Sequence, residues 1–207
     1  MEKLMREVKA QLESWPAWLE AKTVVLAVSG GVDSMVMLRL MNELNQLRQY
    51  NHLQLVVAHF NHKLRPESDY EATAIKNIVA EYGCIYFATE WGEPATTNVE
   101  AQARDARYQF FAEVIRTTEA DVLMTAHHLN DVAETFLMRM TRGTSIRGLQ
   151  GIRGCYQRLM SDPSGHTVMP TIIRPFIGVT KAELEAYAEK FNVTYFEDAS
   201  NYMDHFV

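Results

Sequence analysis

The chain has 207 residues, with 20 Lys and Arg against 26 Asp and Glu, and a formal net charge of −6. This length suits one domain with a sizeable core, and the acidic balance excludes a protein that coats nucleic acid with a wholly basic surface. Cys84 and Cys155 are the two cysteines and lie far apart, which excludes a Cys-x-x-Cys site or a disulfide framework. No signal peptide or bilayer-length apolar run occurs, so we expect a soluble, cytoplasmic protein without membrane attachment.

Alternating patterns along the chain predict the fold. Residues 1–22 interleave charges with apolar residues and predict an N-terminal helix. Five apolar or β-branched runs predict buried strands at 23–29, 53–61, 84–91, 121–127 and 171–177. Helical patterns lie after them at 34–48, 67–82, 98–118, 130–142 and 181–191. The order predicts an α/β fold, with a doubly wound, mostly parallel sheet covered by helices on both faces.

Three turns that follow predicted strands carry unusual polar residues. They read SGGVDS at 29–34, HFNHKLRPES at 59–68 and AHHLNDVAET at 126–135. Because the carboxyl ends of parallel strands meet at one edge of a sheet, these turns predict a single site. The segment 143–170 is rich in glycine and arginine, interrupts the alternation and predicts an extended excursion.

The SGGVDS turn has the features of an anion-binding loop. Gly30 and Gly31 allow main-chain amides to approach an anion, and the helix that begins near Ser34 adds its dipole. Asp33 is unfavourable beside a phosphate unless a cation intervenes, which makes it a candidate Mg²⁺ ligand. The alternative is an ordinary strand-to-helix turn capped by Asp33 or Ser34. The turn lacks the lysine of a Walker sequence, G-x-x-x-x-G-K-S/T.

Two further helices carry candidate site residues. Arg107 emerges beside an apolar stripe, with Arg104 one turn earlier; the alternative is a surface ion pair and a snorkelling arginine. His127 closes the fourth strand, and Asp131 and Glu134 lie one turn apart on the next helix, where they can face the same space. A standing metal site is the alternative for this group.

A basic stretch follows these helices. Its arginines occur without any acidic residue between them, at positions 139, 142, 147, 153 and 158. Arginines on a glycine-rich segment suit phosphate contacts and base stacking with a flexible RNA loop. The alternative is a solvated basic loop.

The motifs resemble a known family. SGGVDS is similar to the signature of the PP-loop ATP-pyrophosphatase superfamily, which cuts ATP between the α and β phosphates. The stretches VVAHFNHKLRPES, NVEAQARDARYQFF, TAHHLNDVAETFLMRM and IRPFIGVTKAELEAYA resemble, in this order, motifs of the tRNA(Ile)-lysidine synthetase family. The resemblance runs from about residue 24 to residue 201.

The resemblance implies a ligase that adenylates the wobble cytidine of tRNA(Ile) with a CAU anticodon and then attaches L-lysine, releasing AMP and pyrophosphate. It implies that ATP is bound by the turn residues Ser29, Gly30, Gly31, Val32, Asp33 and Ser34, with Mg²⁺ held by Asp33 through ATP. The implied catalytic residues are Asp33, Arg107, His127 and Asp131. The implied substrate-binding residues are His62, Arg104, Glu134, Arg142, Arg147 and Arg174.

The sequence also departs from the family pattern. Asn130 and Val132 occupy positions where aspartate and glutamine are frequent, and Ala199 stands in a proline position. The chain stops before the family's C-terminal RNA-binding domains, so we expect one catalytic domain over 1–207, either a fragment or a naturally short form. The sequence leaves open whether the chain forms a homodimer. It also leaves open three alternative functions: an RNA thiolase, an NAD or GMP synthetase, and a non-catalytic ATP-binding module.

Overall fold

The computed structural model describes residues 2–61, 68–92, 98–143 and 151–196. Its eight strands are β1 Thr23–Ala27, β2 Gln54–Asn61, β3 Ile85–Glu90, β4 Val122–Met124, β5 Cys155–Gln157, β6 Met160–Ser161, β7 Thr167–Val168 and β8 Thr171–Ile173. Its seven helices are α1 Lys3–Glu13, α2 Pro16–Leu19, α3 Val32–Asn45, α4 Ser68–Glu81, α5 Val99–Thr118, α6 Leu129–Thr141 and α7 Lys181–Lys190.

Six strands form the central sheet, in the order β3-β2-β1-β4-β8-β5. Five of them run parallel, and the edge strand β5 is antiparallel to β8. The chain moves from β1 outward through β2 and β3 and then returns to pair β4 with the other side of β1. This is a topological switch point, where a crevice opens beyond the carboxyl ends of the strands. The predicted α/β class with a mostly parallel sheet is confirmed.

Two hydrophobic cores lie on the two faces of the sheet. Successive side chains of a strand point to opposite faces, so Val24 and Leu26 belong to the core that contains α1, α3 and α7, whereas Val25 belongs to the core of α5. All three are fully buried. Burial on both faces explains why β1 is an unbroken apolar run and not an alternating one.

Two expectations from the sequence are corrected. The described part of the 143–170 segment is not simply extended, because β5 adds to the central sheet and β6 pairs with β7 in an antiparallel hairpin; residues 144–150 lie outside the described residues. The N-terminal segment holds two helices, since Trp15 is extended and Pro16 begins the second one. A residue before proline avoids helical geometry, and proline suits the first helical turn.

Candidate active site at the switch point of the sheet

A cavity of about 240 Å³ lies beyond the carboxyl ends of β1 and β4. The four residues that the sequence proposes as catalytic, Asp33, Arg107, His127 and Asp131, all line it. The full lining comprises Ala27, Val28, Ser29, Gly31, Asp33, Ser34, Ala58, Phe60, Arg107, Tyr108, Phe111, Thr125, Ala126, His127 and Asp131. The cavity therefore combines a polar turn, an apolar wall and ionisable groups in one space.

Ser34 organises the turn between β1 and α3. Its buried hydroxyl accepts from the amides of Ser29 and Gly30 at 3.2 and 3.1 Å and donates to the carbonyl of Gly31 at 2.9 Å. The backbone of the SGGVDS turn is thus held by a side chain of the same motif. Two of its amides already have a partner, which leaves the start of α3 as the anion-binding part of the turn.

The amino terminus of α3 opens onto this cavity. Gly31 is the N-cap residue and has no side chain to cap the helix, and the first helical bond runs from the amide of Met35 to the carbonyl of Gly31 at 3.0 Å. The amides of the first helical turn therefore make no hydrogen bond within the helix. Such amides and the helix dipole favour an anion.

Gly30 has to be glycine for two reasons. Its φ of +103° is unfavourable for other residues. A Cβ at this position would lie 3.1 Å from Cδ1 of Ile75 and 3.3 Å from Cδ2 of Phe196. Phe196 also donates its amide to the carbonyl of Gly30 at 3.0 Å. The turn is therefore enclosed by α4 and by the segment that follows α7.

His128 lies between two carboxylates. Its Nε2 is 3.6 Å from Oδ2 of Asp33, and its Nδ1 is 3.4 Å from Oδ2 of Asp131. Asp131 also accepts from the amide of His128 at 2.7 Å, which ties it to the start of α6. Burial raises the pKa of Asp33 above its ordinary value, and the charge of nearby His128 partly offsets this. The three side chains connect the β1–α3 turn to α6.

Asp33 is the only residue of the turn that fits the role of a cation ligand. Its Oδ1 is buried and has no hydrogen-bond partner among the described residues. Within the described ranges, no group of three His, Cys, Asp or Glu side chains is arranged to hold a metal ion. A cation at Asp33 would therefore complete its coordination with phosphate oxygens and water.

His127 is held as a neutral imidazole. Burial, together with the charges of Arg174, Arg107 and Arg104, lowers its pKa to about 4, although the charge of Asp131 opposes the shift. The hydroxyl of Thr125 lies 2.9 Å from Nδ1 and orients the ring. At neutral pH a histidine with this pKa is uncharged.

Arg107 of α5 lines the cavity, whereas Arg174 lies outside the lining but close enough to His127 to lower its pKa. Burial lowers the pKa of Arg107, and the like charge of Arg104 contributes. Arg174 is buried and donates to the carbonyl of Arg153 at 2.6 Å and to the hydroxyl of Tyr156 at 3.1 Å. Its Nε is also buried and has no hydrogen-bond partner among the described residues. Buried cations without a counter-ion favour an anionic ligand.

The other residues proposed from the sequence have different positions. Arg104, Glu134 and Arg142 are exposed and lie outside the lining of the cavity. His62 and Arg147 fall outside the described residues. Asn130, which stands where the family pattern has aspartate, accepts a hydrogen bond from the amide of Lys181 at 3.1 Å and so caps the start of α7.

Sequence reasoning missed four residues. The sequence alone assigns no role to His128, although its position beside His127 at the end of a strand is a usable signal. Tyr108 and Thr125 line the cavity, and only their neighbours were singled out. His59 is buried, and its Nδ1 donates to the carbonyl of Val28 at 2.8 Å, which supports the end of β1 from β2. No local pattern distinguishes such a residue from an ordinary strand histidine.

The fold and the site define a nucleotide-binding PP-loop domain. A family model described as PP-loop domain matches residues 1–207, and the chain belongs to this family. Among curated relatives, tRNA(Ile)-lysidine synthase of Enterococcus faecalis is 42% identical over 185 residues, and that of Lactiplantibacillus plantarum is 38% identical over 182 residues. The alignments cover 89% and 87% of this chain but only 37% and 38% of those proteins. The family resemblance read from the motifs is confirmed.

Solved structures support the fold alone. A U34-tRNA thiolase from Methanococcus maripaludis superimposes with a TM-score of 0.72 at 22% identity, covering 94% of this chain and 64% of that one. An NH3-dependent NAD synthetase from Campylobacter jejuni gives a TM-score of 0.52 at 11% identity, covering 92% and 71%. No helix in the described part of the chain has the length and apolar character needed to cross a membrane.

Proposed function

We propose that the chain is the catalytic domain of a cytoplasmic tRNA(Ile)-lysidine synthetase. The observation that carries the proposal is the convergence of the SGGVDS turn, Arg107, His127 and Asp131 on one cavity. It is supported by curated relatives of that name, of which this chain spans less than two fifths. The substrates are ATP, L-lysine and a tRNA(Ile) with a CAU anticodon.

In the first step, the C2 oxygen of the wobble cytidine attacks the α phosphorus of ATP. The bond from the α phosphorus to the bridging oxygen breaks, and pyrophosphate leaves. The amides at the start of α3 hold the β and γ phosphates, and Arg107 offsets negative charge that builds on the phosphates. The apolar wall of Ala58, Phe60 and Phe111 accommodates a flat aromatic base.

Asp33 would hold Mg²⁺ together with the phosphates. Its buried Oδ1, which has no hydrogen-bond partner among the described residues, supports this role. When bound, the ion neutralises phosphate charge. His128, in contact with both Asp33 and Asp131, keeps the two carboxylates in a fixed relation.

In the second step, the ε-amine of lysine attacks C2 of the activated cytidine. The bond from C2 to the adenylated oxygen breaks, AMP leaves with that oxygen, and the amine loses one proton. Asp131 binds the incoming amino group, and neutral His127 is placed to receive the proton. Holding both reactants in one cavity supplies proximity, and no protein nucleophile is needed.

Thiolation is disfavoured by the two cysteines. Cys84 immediately precedes β3 and Cys155 begins β5, so they lie at opposite edges of the sheet. Burial raises the pKa of Cys84 to about 11 and also raises the pKa of Cys155. Neither is an activated thiolate, and the two cannot share a cluster.

The test is incubation of the protein with ATP, Mg²⁺, radiolabelled lysine and unmodified tRNA carrying a CAU anticodon. We expect lysine in the tRNA fraction and equal amounts of AMP and pyrophosphate. The matched control is the same reaction with a tRNA whose anticodon begins with uridine. Release of ADP and phosphate, or lysine incorporation that ignores the anticodon, would contradict the proposal. A non-catalytic ATP-binding module would form no product while still binding ATP.

A further inference from the structure

Three guanidinium groups surround one tyrosine ring. The Cζ atoms of Arg158, Arg104 and Arg107 lie 3.8, 5.4 and 6.0 Å from the ring centroid of Tyr108. The ring itself is buried and lines the cavity. An aromatic face attracts cations, but a single ring does not neutralise three of them. Arg158 is the closest of the three and has no role in the proposed reaction.

This cluster carries uncompensated positive charge. Within the described ranges, Arg104, Arg107 and Arg158 form no ion pair with a carboxylate. The chain as a whole has a net charge of −6, so the cluster opposes the overall sign. Like charges held together repel one another, and an anion bound between them removes that repulsion.

Arg158 is held in place by its surroundings. Its amide donates to the carbonyl of Pro170 at 3.2 Å, at the junction of β5 with the β6–β7 hairpin. The hairpin is joined to α5 by a 2.7 Å ion pair between Arg116 and Asp162. Asp162 also accepts from the amides of Ser164 and His166, both at 2.9 Å. Arg116 thus has a structural partner, whereas Arg158 is presented on a fixed support without one.

The phosphates of ATP account for Arg107, which lines the cavity and offsets their charge in the proposed reaction, but not for Arg158, which lies outside the cavity lining. They are assigned to the start of α3, and α3 packs in the core on one face of the sheet. Tyr108 and α5 pack in the core on the opposite face. A second anion on the α5 side would therefore balance the charge of Arg158 and Arg104, which the ATP phosphates leave unbalanced. The other anionic reactant of the proposed reaction is RNA, whose phosphodiesters arginine binds through paired N–H groups.

We propose that Arg158, stacked on Tyr108 with Arg104 beside it, binds a backbone phosphate of the RNA strand next to the nucleotide that reacts. The inference rests on the proposed function, because it takes RNA as the substrate. The arginine on the edge of the sheet would fix the strand while the base enters the cavity. Phosphate contacts of this kind position a nucleic acid and do not read its sequence.

The test measures binding of an anticodon stem-loop RNA by fluorescence anisotropy over a series of salt concentrations. For Arg158→Gln we expect an affinity loss of about three- to tenfold, and a salt slope smaller by roughly 0.7, the value for one phosphate contact on a single strand. Arg158→Lys keeps the charge and should retain most of the slope. The matched control is Arg6→Gln, an exposed arginine on α1 at the opposite face of the sheet.

A second arm locates the phosphate. One linkage at a time next to the reactive cytidine is replaced by a neutral methylphosphonate, and each RNA is bound to wild type and to Arg158→Gln. At the contacted linkage the two changes should be non-additive. Additive losses at every linkage would overturn the proposal, as would loss of ATP affinity with RNA affinity unchanged. A normal salt effect in a protein that forms no lysidine would leave this site standing and refute only the proposed function.

Discussion

The two sides of the cavity differ in how their polar groups are satisfied. On the side of α3, Ser34 binds the backbone of its own turn, and Phe196 closes the turn from outside. On the side of α5, Arg107 and Arg158 lie against Tyr108 and, in the described residues, have no carboxylate partner. The backbone of the turn on the α3 side is held in place without a ligand, whereas the arginines on the α5 side lack an anion that would balance their charge. The turn is thus preorganised, whereas the arginines form a charged surface that a bound anion would neutralise.

Asp33 should give the largest effect, because it is the buried carboxylate on the α3 side whose charge the folded state disfavours. For Asp33→Asn we expect product formation to fall by roughly 10²- to 10³-fold, as for loss of one electrostatic contact to a transition state. We expect the melting temperature to rise by about 1–4 °C, because the pKa of Asp33 is raised, so the folded state disfavours its charge. Turnover assays and thermal melts check both. A fall in both would show that the carboxylate serves only folding.

Gly30 tests whether the turn depends on its enclosed geometry. For Gly30→Ala we expect about 2–4 kcal/mol of lost stability and a loss of ATP binding, because of its φ and the contacts a Cβ would make. The matched control is Gly165→Ala. Its φ is +85°, but among the described residues other than its two neighbours no atom lies within 4 Å of an added Cβ. The control should cost about 1–2 kcal/mol from backbone strain alone and leave ATP affinity intact. Urea denaturation and ATP titration measure the difference, and equal effects would contradict the argument.

His127 tests, through the pH dependence of stability, how strongly burial and the nearby arginines disfavour its charged form. Its folded pKa of about 4 lies below the unfolded value of about 6.5. The unfolded state therefore binds more protons between these values, so the free energy of unfolding falls as the pH drops from about 6.5 towards 4. This group should contribute a loss of roughly 2–3 kcal/mol over that window. His127→Asn should flatten the urea-denaturation profile, and parallel profiles would contradict the assignment.

Asn130 should give the smallest effect. Its side chain caps α7 and does not line the cavity, so Asn130→Asp keeps the acceptor and adds a charge at a helix amino terminus. We expect a gain of about 0.3–1 kcal/mol in stability and a change in turnover below about threefold, which is under 1 kcal/mol. Calorimetry measures the stability change, and turnover assays measure the change in activity. A gain in activity of tenfold or more would show that position 130 acts in the site after all.

The sequence predicted the five parallel strands and their helices because each is a short apolar run with its own turn chemistry. It did not predict β5 or the β6–β7 hairpin, whose pairing depends on β8 and on α5 far along the chain. The same limit applies to the site. The turn residues and His127 follow strand ends directly, whereas the position of His128 between Asp33 and Asp131 requires two elements to be packed together.

The contact between Phe196 and Gly30 packs the segment after α7 against the SGGVDS turn. One main-chain bond and one aromatic ring carry that contact. Removing residues from Phe196 onward would free the carbonyl of Gly30 and uncover Ile75. Shortening the chain there should therefore loosen the SGGVDS turn, although no residue of the motif itself is changed.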